Sequence, residues 1–305
     1  MTTHCGFAAV IGAPNAGKST LVNALVGTKV AIVSPKVQTT RMNVRGVALR
    51  GETQIVFVDT PGIFKPRRRL DQAMVAAAWT GAGGADAVVH LVDAPEVAAH
   101  PDGHAAADTL SIIEGLKAAG RKGALALNKI DAMKHELLLP LAGKLDASGV
   151  YERVFMISAL KGDGLEALAD WCVGKMPEGP WLYPADQAAD IPSRLLAAEI
   201  TREKLYLRLH DELPYASAVE TEKWEEKKDG SVKIDQVIYV QRASQKPIVL
   251  GKGGATIKAI GAAARAELEE IFGRRVHLFL FVKVREDWAD RREHYRELGL
   301  EFPEE

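Results

Sequence analysis

Gly12-Ala13-Pro14-Asn15-Ala16-Gly17-Lys18-Ser19 is the most informative stretch of this chain. The stretch fits G-x-x-x-x-G-K-[ST], and its flanks fit as well. Phe7 to Ile11 is an apolar run that reads as a buried strand, and Leu21, Ala24 and Leu25 recur at helical spacing after the motif. A glycine-rich loop between strand and helix is the context in which this motif carries meaning. Glycines let the backbone curl so that successive N–H groups point inward, and the helix N-terminus adds positive potential where phosphates sit. Lys18 is expected to reach the β- and γ-phosphates of a nucleotide, and the Ser19 hydroxyl to bind Mg²⁺. Gly12, Asn15, Ala16, Gly17 and Thr20 complete the expected phosphate-binding set.

Working outward, residues 27–45 show no sustained period and read as a polar loop leading to a strand at 44–50. A threonine from such a loop is expected to close on Mg²⁺ and the γ-phosphate. Thr39 and Thr40 both qualify, with Thr40 favoured. The next apolar run, 53–58, enters Asp59-Thr60-Pro61-Gly62. Asp59 at a strand end is expected to hold Mg²⁺, and the Gly62 N–H to approach the γ-phosphate because no Cβ intervenes. D-x-x-G alone is a plain turn; one strand and one loop after a P-loop, it is informative. Lys18, Thr40, Asp59 and Gly62 form the expected catalytic group. Position 63 is Ile, where many GTPases carry a glutamine that orients water, so slow intrinsic turnover is expected. Lys65, Arg67, Arg68 and Arg69 read as a charged loop, solvated surface by default.

Further strands are expected at 85–92, 122–127 and 151–157, with an amphipathic helix at 105–117. The strand at 122–127 ends in Asn128-Lys129-Ile130-Asp131. Asp131 can accept from the guanine ring N–H and exocyclic amine together. A site built for those bonds rejects adenine, because its carboxylate would be left unpaired. Lys129 can lie along the base plane, and Asn128 can tie the loop to the P-loop. Ser158-Ala159-Leu160 follows the last strand, with the Ala159 N–H expected at guanine O6 and Asp163 expected to cap the closing helix. Strands and helices alternating from Cys5 to Met176 give an α/β fold, a doubly wound and mostly parallel sheet. Together these motifs point to guanine nucleotide and argue against a metabolic kinase or a generic ATPase.

At 305 residues two domains are expected, with 1–176 binding nucleotide, 177–192 a proline-rich linker and 193–305 a second domain. In the latter, a helix at 194–210 capped by Ile191-Pro192-Ser193 and strands at 215–224 and 231–242 precede Ile248-Val249-Leu250-Gly251-Lys252-Gly253-Gly254. A helix to Phe272 and a strand at 276–284 follow, and 286–305 reads as a mixed-charge surface helix. Gly251, Lys252, Gly253 and Gly254 fit the G-x-x-G clamp that KH modules close on single-stranded nucleic acid. Ile248 and Lys258 are expected beside it. The net charge is −1, but 242–285 carries nine Lys/Arg against three acids, so this segment is locally basic. Cys5 and Cys172 form no framework or metal-ligand spacing. No signal peptide or membrane span is expected, and a soluble, cytoplasmic protein is.

With both ends read, the chain resembles the Era-type family of bacterial GTPases, a Ras-like P-loop domain followed by an α+β type II KH domain. Carrying the resemblance are 12–20, Gln38-Thr39-Thr40-Arg41, Asp59-Thr60-Pro61-Gly62, Asn128-Lys129-Ile130-Asp131, Ser158-Ala159-Leu160 and 249–260. It departs in Ala16, where valine is common, and in the order of residues within 251–254. The resemblance implies binding to the 3′ end of small-subunit ribosomal RNA, a role in assembling the 30S subunit, and nucleotide-dependent access to RNA. It also implies a monomer, and the family includes peripheral membrane association. Asn15 matches an asparagine that holds K⁺ in related GTPases lacking the glutamine. The alternative is a GTP switch whose KH-like domain binds protein and not RNA.

Overall fold

The computed structural model describes residues 2–209 and 213–304. The chain divides into two compact units, Met1–Asp190 with Leu298–Glu305, and Ile191–Glu297. The first contains β1 (His4–Ile11), α1 (Lys18–Val26), β2 (Val44–Arg50), β3 (Thr53–Asp59), α2 (Arg69–Gly83), β4 (Ala87–Asp93) and α3 (Ala94–Ala99). It continues with α4 (His104–Ala118), β5 (Gly123–Asn128), α5 (Leu138–Asp146), β6 (Tyr151–Met156), α6 (Leu165–Val173) and β7 (Ala189–Asp190).

These strands form one sheet in the order β6-β5-β4-β1-β3-β2-β7. The run from β6 to β3 is parallel, while β2 lies antiparallel to β3 and β7 antiparallel to β2. Side chains of successive residues alternate between the faces. Ala8 and Val10 join Leu21, Val22 and Leu25 of α1 and Leu168 of α6 in one core. Ala9 and Ile11 join Ala78 and Ala82 of α2 and Ile112 and Leu116 of α4 in the other. Strands covered on both faces have no polar side to show, which explains their continuous apolar runs. Sequence order reverses around β1, and the crevice at the carboxyl ends of such strands is where ligands bind.

The second unit holds α7 (Ser193–Arg208), β8 (Ser217–Glu226), β9 (Val232–Val240), α8 (Lys246–Leu250), α9 (Ala255–Phe272), β10 (Val276–Val284) and α10 (Arg292–Glu297). Its sheet runs β10-β9-β8, antiparallel between β8 and β9 and parallel between β9 and β10. One face packs on helices through Leu205 and Tyr206 of α7, Val249 of α8, Ile260 of α9 and Val282 of β10. The helix–strand–strand–G-x-x-G–helix–strand order is that of a type II KH domain, with α8 inserted before the glycine loop. No helix among the described residues is long and apolar enough to cross a membrane.

Several local expectations need correction. Gly164, at φ 72°, is the N-cap of α6, and Asp163 instead bridges back to Ser158 through its backbone. Helix α7 starts one residue early, at Ser193, with Pro192 of the expected 191–193 cap as its N-cap and no side-chain cap bond; His210 lies outside the described residues. The basic run ends inside a helix: Arg69 begins α2, and the Asp71 carboxylate accepts from the Arg67 and Arg68 amides at 3.0 Å each. Only 292–297 of the tail is α-helical, and that tail is no mere surface, because Trp288 and Tyr295 are fully buried.

Candidate nucleotide site and nucleic-acid interface

The P-loop turns between β1 and α1 with Asn15 at φ 62° and Gly17 at φ 99°. Both values lie in the left-handed region. Asparagine tolerates it best among residues with a side chain, and glycine pays nothing there. Buried Lys18 bends back so that its ammonium donates to Gly12 O at 3.1 Å and Ala13 O at 2.9 Å. Burial pushes its pKa down to about 8, partly offset by the nearby Asp59 charge. Those carbonyl bonds keep the ammonium beside the loop, where phosphate oxygens would lie.

Three residues far apart in sequence meet at one point. Ser19 Oγ donates to Asp59 Oδ2 at 2.7 Å and lies 2.8 Å from Thr40 Oγ1, which itself donates to Asp59 Oδ2 at 3.3 Å. Thr39 is turned elsewhere, its hydroxyl donating to Lys36 O at 2.7 Å. Asp59 is fully buried, and its Oδ1 has no hydrogen-bond partner among the described residues. Burial raises its carboxyl to about 6, against the Ser19 bond, the Lys18 charge and the Thr40 bond. Two hydroxyls and an orphaned carboxylate oxygen are hard oxygen donors in a set that fits Mg²⁺. Gly62 sits against the P-loop, since a Cβ there would stand 2.9 Å from Pro14 Cγ. The Ile63 amide donates to Gly12 O at 3.0 Å while its side chain is buried in the core.

The base-side loops close the other end. Asn128 Nδ2 donates to Ala16 O at 2.8 Å, and its Oδ1 accepts from the Ala159 amide at 2.9 Å. Ser158 Oγ donates to Asp131 Oδ1 at 2.6 Å and accepts from the Lys161 amide at 3.1 Å, fixing the carboxylate. Leu160 is exposed beside them. Lys129 adopts φ 63°, and its ammonium pairs with Asp93 Oδ2 at 2.5 Å. Asp93 was not anticipated from sequence, although a carboxylate closing a buried strand, as Asp59 does, is the signal that marks it. A cavity of about 750 Å³ is lined by Asn15, Gly17, Lys18, Ser19, Thr20, Thr40, Gly62 and Lys129 among others.

In the second unit, Gly251, Gly253 and Gly254 take φ 71°, 60° and 79°, forming a tight turn into the N-terminus of α9. A Cβ on Gly251 would collide with the Thr256 side chain and backbone, so glycine is required there. Lys252 and Lys258 are exposed on this loop and the first turn of α9, and Ile248 is exposed on α8. Both lysines and Ile248 thus face solvent, and the Lys258 stem lies beside Gly254.

Fold and site define a P-loop guanine-nucleotide-binding domain followed by a KH domain. A family model described as 50S ribosome-binding GTPase matches residues 7–129, and the KH domain model matches residues 212–289. The chain is 60% identical over 306 residues to GTPase Era of Maricaulis maris, covering 98% of each protein. It is 61% identical to GTPase Era of Caulobacter vibrioides, covering 98% of this chain and 97% of that one. Crystal structures of Aquifex aeolicus Era bound to GDP and AlF4⁻, and of Era with MgGDPNP and nucleotides 1506–1542 of 16S ribosomal RNA, superpose with TM-scores of 0.89 and 0.88. Each is 39% identical and covers 97% of this chain and 99% of its own. The chain belongs to the Era family and is a GTPase.

Proposed function

We propose that this protein is a GTP-hydrolysing switch whose KH domain binds the 3′ end of 16S ribosomal RNA and assists 30S subunit assembly in the cytoplasm. The convergence of Ser19, Thr40 and Asp59 beside buried Lys18 carries the nucleotide half of this reading. The relative crystallised with MgGDPNP and 16S RNA supports the RNA half.

Mg²⁺, held by Ser19, Thr40 and Asp59, would neutralise charge on the β- and γ-phosphate oxygens. Lys18 supplies a second positive charge to the same oxygens, and the backbone N–H groups of 12–20 bind the remainder. The transition state of phosphoryl transfer spreads negative charge over oxygens, so fixed cations and amides lower its energy without any covalent step. Ile63 offers no side-chain donor, and its burial keeps it away from the attacking water. Water is therefore oriented by backbone and by cations, and turnover without an activator is slow. K⁺ near Asn15, which lines the cavity, is the second ion of this proposal. Asp131, Lys129, Asn128 and the Ser158–Leu160 loop select guanine. Thr40 and Gly62 respond to the γ-phosphate, and RNA affinity follows that response.

The test is anisotropy binding of labelled RNA spanning nucleotides 1506–1542 to the full chain in GDPNP and in GDP. Tighter, salt-sensitive binding in GDPNP, lost on Lys252→Asp with Gly253→Asp, supports the reading. Absence of RNA binding in both states would reassign the KH unit to protein recognition.

A further inference from the structure

Strand β10 is the outer strand of the KH sheet, hydrogen-bonded only to β9 among the described residues. Its side chains alternate. Leu280 and Val282 enter the core shared with α7 and α9, so Phe279 and Phe281 point to the opposite face. There they are 47% and 50% exposed. Two half-exposed phenylalanines side by side on one face forgo part of the stabilisation that burial would bring, which marks an interaction surface. Cations stand close to both rings. Lys233 Nζ lies 5.3 Å from the Phe279 ring centroid, and Lys283 follows Phe281 at the next position on that face. Strand β10 contains no acidic residue. The acids of this face, Glu220, Glu222, Glu225 and Asp235, are each engaged by a cation: Glu220 by Arg285 at 3.8 Å, Glu222 by Lys283 at 2.7 Å, Glu225 by Lys227 at 2.5 Å and Asp235 by Lys233 at 3.2 Å.

We propose that Phe279 and Phe281 form a stacking platform for unpaired RNA bases, separate from the Gly251–Gly254 clamp and served by Lys233 and Lys283 as phosphate contacts. The inference rests on the RNA-binding reading above and adds a second contact surface to it. Aromatic rings at alternate positions of an exposed strand are how sheet-based RNA modules hold bases. Positions i and i+2 lie about 6.7 Å apart along a strand, close to the nucleotide spacing of an extended single strand. A docking protein would be served better by an apolar patch than by rings flanked by lysines. Strand addition to the edge of β10 would use its backbone and leave these rings idle. The alternation of ring and cation therefore favours nucleic acid.

The experiment uses the full chain in GDPNP and RNA spanning nucleotides 1506–1542 with 2-aminopurine placed singly along its unpaired positions. Phe279→Ala with Phe281→Ala is expected to weaken binding between about fivefold and about a hundredfold, the range for losing one stacked base. It is also expected to abolish 2-aminopurine quenching at one or two positions, while Phe281→Trp preserves both affinity and quenching. Thermal melts check that the half-exposed sites tolerate truncation. Lys252→Asp with Gly253→Asp serves as the comparison. If that pair loses RNA while the double phenylalanine variant binds and quenches as the parent does, the platform is wrong and the RNA reading stands. If the parent itself binds no RNA, the reading beneath the platform fails with it.

Discussion

The amide nitrogen of Asn128 stands 2.5 Å from the point where a Cβ on Gly17 would lie. The same nitrogen donates to Ala16 O, so the guanine-side loop is anchored on the backbone that cradles phosphate. The glycine at 17 is needed twice, for its φ of 99° and for this close approach. Asn128→Ala removes two buried bonds and leaves Ala16 O and the Ala159 amide unpaired, at about 1–3 kcal/mol each. GDP affinity, read by fluorescent-nucleotide titration, should fall at least about tenfold. Gly17→Ala should fall at least as far, because it displaces the same side chain and strains the backbone. Unchanged affinity in either variant would show the two loops to be independent.

Asp131 presents a carboxylate oriented by Ser158 at 2.6 Å. Asp131→Asn exchanges one acceptor for a donor, which suits a base with a carbonyl where guanine carries its amine. Preference should move from guanine towards xanthine nucleotides by about a hundredfold or more in the ratio of affinities. Competition titration with GDP and XDP measures it. A variant that loses both nucleotides equally would mean Asp131 supports the loop and does not read the base.

Asn15 holds its left-handed conformation while its side-chain amide donates to Pro35 O at 3.3 Å, at the cavity wall. With Ile63 unable to orient water, hydrolysis should be faster in K⁺ than in Na⁺, by about tenfold, a barrier change of about 1.4 kcal/mol. Asn15→Ala should erase the difference while leaving Mg²⁺ dependence in place. Phosphate release under matched ionic strength provides the measurement, and equal rates in both salts remove K⁺ from the proposal.

His90 is buried on β4 with Nδ1 2.7 Å from the Tyr151 hydroxyl. Burial, with the charge of Lys18, pushes its pKa down to about 3. An unfolded histidine titrates near 6.5, so between these values the unfolded chain binds the extra proton and stability falls as pH drops. Asp59 works in the opposite sense. With its carboxyl raised to about 6, the native state holds the proton and loses stability as pH climbs to that value. His90→Gln removes only the first effect. Its stability should fall less steeply than the parent's between about pH 6.5 and 4, although about 1 kcal/mol is lost near neutrality with the Tyr151 bond. Urea denaturation at a series of pH values compares the slopes; identical slopes would rule out His90 as the group responsible.

The P-loop, Asp59 and Asn128–Lys129 stand out in the sequence because each lies at the end of a strand buried on both faces. Phe7–Ile11, 55–58 and 123–127 have to be apolar throughout, and polar residues that interrupt such runs stand out. Asp59, Asn128 and Lys129 stand out in this way. Asp93 follows the same rule but belongs to no short motif, so its pairing with Lys129 was missed. Helix caps were read less well. The Gly164 cap depends on a left-handed turn that Asp163 mimics in composition, and sequence alone favours the side-chain cap.

Residue types and spacing alone carried the expected chemistry: a phosphate loop, oxygen donors suited to Mg²⁺, a candidate guanine reader, and a G-x-x-G loop in a basic segment. These follow from residue type and local spacing, which a linear reading retains. Tertiary structure decided which of them meet. Thr40 rather than Thr39 faces Ser19 because residues 34–39 fold on their own hydroxyls and carbonyls, Thr39 among them. The segment at 189–190 became β7 because β2 offered a free edge, and the tail carried Trp288 and Tyr295 into burial. Which face of β10 carried exposed rings also needed the packing of α7 and α9 on the other. Strand order and the filling of a face arise from contacts between distant segments, and no local period encodes them.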